Sequence, residues 1–523
     1  MPGGDRQAAG MAVGTVLSRV TGLARTVALA WAVGVTALGD AYNTANTAPN
    51  MVFQLAAGGV LTSALVPVLV RHEDDPGRRQ VVSTVFTATL AVGAAMALAL
   101  AVAAPWVMDA LTYGARARAD HDDLVRVGTA WLRLFAPQVV LYAASVFAAG
   151  VLQARGRLTL AGAAPVATNL LTIAAAVAFV GAAGGRAPAL AAVPGPAVAL
   201  LGLGTTAAVG AMAGLHLWGA RRCEPGVALS TRLRRPVLAE VARVGRWVVL
   251  YVVVNQLGYA VVVALAASVA GGVSAYQWAF TVMQLPYAVV AVSVYSAAAP
   301  GLARAAASAG GQVHALVARA SRTTQSLLVP AAAGMALLAD RLALSLVGRD
   351  GSALVAAGIT GFAVSLVPFA AFQLLVRTSY GFQDARTPAL VNLAVNGVNV
   401  VAALAGLAVA GSPASRVLAL ALAHAASYAA GTAVLGAVLR RRGALGLRAL
   451  APGGWRPLGA SLVMAAVLGP AVAAAPAADS RLSGLVVTAG LAAAGVAAYA
   501  VAARALGVPG IAGLTARTRG PRR

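Results

Sequence analysis

Lysine is absent from this sequence. All 39 basic residues are arginine, set against 15 acidic ones, for a formal charge of +24 over 523 residues. Charge of either sign is scarce, at 10% of the chain, where a soluble domain carries about a quarter. That scarcity turns a balance that would suggest nucleic acid in a soluble protein into loop charges that set membrane orientation. The single cysteine, Cys223, excludes an internal disulfide and any paired-thiolate metal site. A separate cleavable leader is not expected either. The opening MPGGDRQAAG runs into an apolar stretch too long for a signal h-region, with no small-residue cleavage site where one belongs. Neither a catalytic constellation nor a cofactor motif stands out, so an enzyme is not expected.

What the sequence has instead is apolar length. It is 60% hydrophobic, with a mean hydropathy of +0.82. The runs are roughly 20–30 residues long without alternation, which fits helices crossing a bilayer rather than barrel strands. Fourteen candidate spans cover roughly 11–37, 41–70, 81–112, 124–153, 158–183, 192–219, 236–270, 273–303, 313–347, 352–382, 388–411, 413–439, 457–476 and 482–505. With the N-terminus placed in the cytoplasm, the inward segments and their flanks hold 27 arginines and the outward ones 9; Arg19, Arg25 and Arg377 lie within spans. This excess puts both termini in the cytoplasm and the chain in the cytoplasmic membrane as a multi-pass protein. The tail LTARTRGPRR reads as a short basic end suited to anionic headgroups.

The chain repeats itself. GVLQARGRLTLAGAAPVATN at 150–169 matches YGFQDARTPALVNLAVNGVN at 380–399, aligning Gln153 with Gln383 and Asn169 with Asn399. APNMVFQLAAGGVLTSALVPVLVR at 48–71 likewise has a counterpart in LPYAVVAVSVYSAAAPGLAR at 285–304. An offset of six spans, an even number, gives both halves the same orientation. The fold class is therefore an all-α polytopic membrane protein of about 14 helices. Two six-helix lobes, 1–235 and 236–441, form a parallel pseudo-repeat around a central cavity, and 442–523 adds two helices and the tail.

Polar residues inside spans mark where function would sit. In MAVGTVLSRVTGLARTVALAWAVGVTALG, Arg19 lies roughly 12 Å and Arg25 roughly 21 Å into the first span. Arg19 can snorkel to the near interface, whereas Arg25 sits close to the midplane, where an arginine faces a bundle interior or a wet cavity. In the second span Asn43, Asn46, Asn50 and Gln54 share one helix face, with Pro49 among them. The stripe reads as cavity lining or as interhelical glue. Asp40, at the turn before it, reads as a helix cap or as an arginine partner. The eighth span offers a weaker row of Gln277, Thr281 and Gln284 before Pro286, and the seventh Asn255, Gln256 and Tyr259. Arg377 is near enough to the inner end of its span to snorkel, and His424 reads as a packing or hydrogen-bonding residue. Fixed arginines and amides suit an anionic, hydrogen-bonding headgroup, because guanidinium matches phosphate bidentately and keeps its charge when poorly solvated.

SRVTGLAR at 18–25, DAYNTANTAPN at 40–50, GGVL at 58–61 and the following VPVLVR resemble the opening of the MurJ/MviN family, as do QLPYAVVAVSVYSAAAP at 284–300 and YGFQDARTP at 380–388. The resemblance implies a lipid II flippase of the multidrug/oligosaccharidyl-lipid/polysaccharide exporter superfamily. Its substrate would be the undecaprenyl-pyrophosphate-linked peptidoglycan precursor, carried from the inner to the outer leaflet, and cell-wall synthesis or division machinery would be its setting. It also implies functional roles for Arg19, Arg25 and Asp40 and for the pair Pro49 and Asn50. The chain departs from the family pattern where basic residues often follow that pair, here Phe53 and Gln54. It departs again where the eighth span often carries an arginine, here Thr281, and where Gly58 replaces a common acid. Substrate-binding candidates are thus Arg19, Arg25, Asp40, Asn43, Asn46, Asn50, Gln54, Thr281 and Gln284, with no metal, cofactor or nucleic acid. Export of another lipid-linked oligosaccharide or polysaccharide precursor is a second reading. A membrane glycosyltransferase is a third, and the acid-bearing loop ADHDD at 119–123 is short for it.

Overall fold

The computed structural model describes residues 2–55, 76–224, 226–307, 312–443, 445–446, 455–476 and 481–508. The landmarks GGVL and VPVLVR, with Gly58, and the basic tail lie outside the described residues.

Two compact units divide the chain, 1–274 and 275–523. In the first, α1 (Pro2–Val33), α2 (Ala37–Leu55), α3 (Arg78–Leu111), α4 (His121–Phe135), α5 (Gln138–Ala154), α6 (Leu158–Ala163), α7 (Pro165–Ala182), α8 (Gly195–Cys223) and α9 (Arg235–Ala266) follow one another. The second holds most of α10 (Gly272–Pro286), then α11 (Ser293–Ala307), α12 (Gln312–Leu337), α13 (Ala339–Val347), α14 (Ser352–Gly381), α15 (Arg386–Val409), α16 (Pro413–Arg441), α17 (Trp455–Ala474) and α18 (Arg481–Ala505). A π-helical turn, Tyr287–Val292, joins α10 to α11 just after Pro286. Proline cannot supply a ladder N–H, and a widened turn absorbs the missing bond inside an otherwise continuous span.

Among the described residues, twelve helical stretches are long and apolar enough to cross a membrane, and a thirteenth is counted if Val313–Leu337 and Ala339–Val347, bent by 68°, form one span. All thirteen overlap runs expected from the sequence. The fourteenth expected span, 41–70, is described only as far as Leu55. The fourth span is broken rather than straight: α4 and α5 meet at Ala136 and Pro137 within the stretch His121–Ala154. The AGG of SVAGGVSAY becomes the turn between α9 and α10. There Gly271 adopts φ +79°, the left-handed region that only glycine enters without strain.

Within the first unit α1 lies against α6 and α7, α2 against α4 and α5, and α8 against α5 and α7. The centre of that packing is aromatic. Tyr42 of α2 meets Trp131 and Phe135 of α4 edge-on, each at 5.5 Å between centroids, and all three rings are buried. Edge-to-face contact places a positive ring edge on a negative face and fixes the orientation of α2. In the second unit α14 and α16 pack most closely, with α15 against α16, α12 against α14, and α17 against α18.

Candidate functional site

The first-unit candidates gather on α1 and α2. Arg25 is half-buried and joins no ion pair or hydrogen bond among the described residues. Its charge reaches the hydroxyls of Tyr42 and Tyr142. Tyr142, on α5, donates to Asn50 Oδ1 at 3.3 Å, and its ring packs on Phe53 at 4.5 Å. Asn50 in turn donates to the Asn46 carbonyl at 2.7 Å. The Asn46 Oδ1 is buried with no partner among the described residues. Arg25, Tyr142, Asn50 and Asn46 therefore form one polar patch with spare hydrogen-bonding capacity. Arg19, two turns earlier on α1, is exposed.

The stripe on α2 does not act as one surface. Exposure rises along it: Asn43 is buried, Asn46 and Asn50 are half-buried, and Gln54 is exposed. Asn43 is committed, donating to Ser274 Oγ at 2.9 Å. Asp40 is fully buried and committed more strongly. It accepts from Gly271 N at 2.7 Å, Ser274 N at 2.9 Å and Ser274 Oγ at 3.0 Å. Gly271 immediately precedes α10 and Ser274 lies in its first turn, so Asp40 caps a helix some 230 positions away rather than its own. Arg118 lies 3.9 Å from its carboxylate and is itself held by Asp120 at 2.6 Å and the Ala267 carbonyl at 2.8 Å. A carboxylate at orphan helix N–H groups, with a guanidinium nearby, is a stable arrangement for a buried acid.

Thr281 and Gln284 belong to the second unit. Both are half-buried on α10, and Thr281 turns back to donate to the Gln277 carbonyl at 2.9 Å. Arg377, expected to reach for the membrane surface, sits 5.8 Å from the Tyr295 ring centroid, with its charge close to Tyr287 of the π-helical turn. Tyr295 is anchored through its hydroxyl to the Ala370 carbonyl at 2.8 Å.

Sequence reasoning singled out His424 and passed over His216. Each unit uses a histidine in the same way. His216 of α8 meets Ser145 of α5 at 2.8 Å, and His424 of α16 meets Ser365 of α14 at 2.5 Å. His424 is further enclosed by Phe280, Phe362, Phe369 and Tyr428. Both are packed, hydrogen-bonded residues of the helix interior. Nothing in a single sequence marks a serine as the partner of a histidine 59 or 71 positions away.

Two charged clasps were also missed. Glu224, just past α8, is buried and takes Arg78 of α3 at 2.9 Å and Arg155, after α5, at 2.6 Å. Burial alone would raise its carboxyl, but the hydrogen bonds and charges of the two arginines outweigh that and hold it below the usual carboxylate range. In the second unit Asp384, after α14, binds Arg442, after α16, and also caps Thr387 N at 2.9 Å. There too the hydrogen bonds to Thr387 and the Arg442 charge overcome burial and lower the carboxyl. Equivalent helix ends are thus pinned in both repeats, with acid and base exchanged.

Comparison with known proteins places these residues in context. The family described as "Lipid II flippase MurJ" matches residues 29–486. A protein of Burkholderia cenocepacia called "Lipid II flippase MurJ" is 28% identical over 400 residues, covering 73% of this chain and 74% of that one. A "Probable lipid II flippase MurJ" of Rhizobium meliloti is 27% identical over 406 residues, covering 73% and 72%. Among solved structures, a lipid II flippase MurJ in an inward closed conformation superposes with TM-score 0.75 at 15% identity, over 94% of this chain and 97% of the other. An inward-facing multidrug resistance transporter of the MATE family and MOP superfamily gives TM-score 0.63 at 14% identity, over 81% and 94%. At those identities the structural likeness concerns the fold.

Proposed function

The chain belongs to the lipid II flippase MurJ family, and on that premise we propose that it translocates lipid II across the cytoplasmic membrane by alternating access. The observation that carries this reading is Arg25. It is a permanently charged group deep in a span, with no ion pair or hydrogen bond among the described residues, beside a polar patch with an unfilled acceptor. A charged side chain at that depth costs about 3 kcal/mol even on insertion scales. An anionic headgroup recovers that cost when it docks, because the attraction acts where water is scarce.

The pyrophosphate is bound by Arg25 and Arg19, with Asn46, Asn50 and Gln54 taking sugar or peptide groups; Thr281 and Gln284, on α10, are further substrate-binding candidates. The prenyl tail stays in lipid. The rise in exposure from Asn43 to Gln54 supports a path entered from the far end of α2, which is cytoplasmic when both termini are inside. Asp40 and Asn43 act differently from the rest. Their bonds to Gly271 and Ser274 hold the first turn of α2 to the α9–α10 turn, so they position the wall and do not touch substrate. A change of conformation of the lobes 1–235 and 236–441 then releases the headgroup outside, with no covalent step.

Leaflet accessibility of lipid II in cells depleted of this protein is the test. Wild type restores exposure of the precursor and Arg25→Ala does not. Unchanged exposure on depletion would move the proposal to another lipid-linked glycan.

A further inference from the structure

A cavity lies away from Arg25, between the last turns of α3 and the length of α4. It measures about 630 Å³ and is lined by Trp106 and Asp109 of α3 and by His121, Arg126, Thr129 and Arg133 of α4. We propose that it is a binding site for one zwitterionic phospholipid, with a headgroup that joins a phosphate to a primary amine, as in phosphatidylethanolamine.

Depth is the first argument. Trp106 is 71% exposed and lies five residues before the end of α3, the place of an interfacial aromatic anchor. Arg133 sits seven residues beyond Arg126 on the same helix, about 10 Å deeper at 1.5 Å per residue. Helical side chains lean toward the helix N-terminus, so its guanidinium rises toward the headgroup layer.

Unfilled hydrogen-bonding capacity is the second. Thr129 is 8% exposed, and its Oγ1 is buried with no partner among the described residues, as is His121 Nε2. Buried polar groups are normally paired, and these two line the same cavity. Arg133 has no carboxylate within ion-pair distance among the described residues, whereas Arg126 is partly committed to Asp123 at 2.7 Å.

The order of charge is the third, and it selects the headgroup. Donors for a phosphate, Arg133 and Thr129, lie on the deeper part of α4. Acceptors for an ammonium group, Asp109 and His121, lie together toward the helix ends; Asp109 Oδ2 is held by Arg116, while its Oδ1, 3.7 Å from His121 Nε2, remains for the amine. A phospholipid carries its phosphate next to the glycerol and its amine beyond it, in the same order. A headgroup whose outer part is neutral, as in phosphatidylglycerol, would leave the Asp109 carboxylate without that counter-charge. Which leaflet supplies the lipid rests on the orientation proposed above, and there it is the outer one; the cavity and its chemistry do not depend on that reading.

Native mass spectrometry of the purified full-length protein, offered equal amounts of phosphatidylethanolamine and phosphatidylglycerol in detergent, tests the site. Wild type should retain one phosphatidylethanolamine over phosphatidylglycerol by roughly tenfold, the scale of one charge-assisted contact. Arg133→Ala should lose the retained lipid of either kind, while Arg133→Lys, which keeps the charge, should hold it. Asp109→Asn should bind both lipids alike. Equal retention by wild type, a preference for phosphatidylglycerol, or full retention by Arg133→Ala overturns the assignment. Retention is read without lipid II, so failure here is separable from failure of the flippase reading.

Discussion

Asp40→Asn separates a positioning role from substrate contact. The carboxylate accepts three hydrogen bonds, two from the Gly271 and Ser274 amides at the start of α10 and one from the Ser274 hydroxyl, and is fully buried. Asparagine keeps the shape but presents an NH2 where one carboxylate oxygen was, so a donor faces a donor. The remaining oxygen loses its charge assistance. A buried charge-assisted hydrogen bond is worth about 1.5–3 kcal/mol, and an acid at a helix N-terminus adds about 0.5 kcal/mol. The expected loss is therefore roughly 3 kcal/mol, since the amide keeps some of the acceptance. In a unit of this size each kcal/mol moves the midpoint by about 2–4 °C, so thermal unfolding of the purified protein should shift down by roughly 6–12 °C. Lipid II exposure in complemented cells should fall only in proportion to the folded protein present. A variant that unfolds within a degree of wild type yet abolishes exposure would refute the capping argument and place Asp40 against the substrate.

Glu224→Gln should lower the unfolding midpoint by several degrees, from roughly 2–3 kcal/mol lost when two guanidinium groups lose one buried carboxylate. Because the folded carboxyl is held low, its contribution is complete above the unfolded value and disappears as pH falls through the lowered one; a pH series should show that acid limb in wild type and a flatter one in the variant. Gly271→Ala should destabilise by roughly 2–3 kcal/mol, since φ is +79° and the added Cβ would stand 2.5 Å from the Val35 carbonyl oxygen. An unchanged midpoint in the same unfolding assay would show that the turn relaxes freely.

The positions of the spans were legible without any structure. Thirteen of fourteen apolar runs coincide with helices or with one bent pair, because apolar length is a local property measured against a fixed bilayer thickness. The placement of Arg25 inside a span was legible for the same reason, and it lies within the apolar helix Val13–Val33. The two aligned glutamines both fall at helix ends: Gln153 one residue before the end of α5, and Gln383 just past α14 in the left-handed region.

Partners were a different matter. The second span carries four amides on one face, and periodicity treats them alike. Packing assigns Asn43 to Ser274 and Asn50 to Tyr142 and leaves Asn46 Oδ1 without a partner among the described residues. Asp40 offered two local readings, a cap for its own helix or an arginine partner; it caps α10, with Arg118 at 3.9 Å. His216 and Glu224 drew no notice because their partners lie 55 to 146 positions away. Hydrophobic length and helical face are set by residues within a few turns, so the sequence alone determined where the helices run and that arginine lies within them. Hydrogen-bond partners are set by which helices come within 3 Å of each other. Only the tertiary structure decided which polar groups are bound to one another and which, Arg25 among them, have no hydrogen bond or ion pair among the described residues.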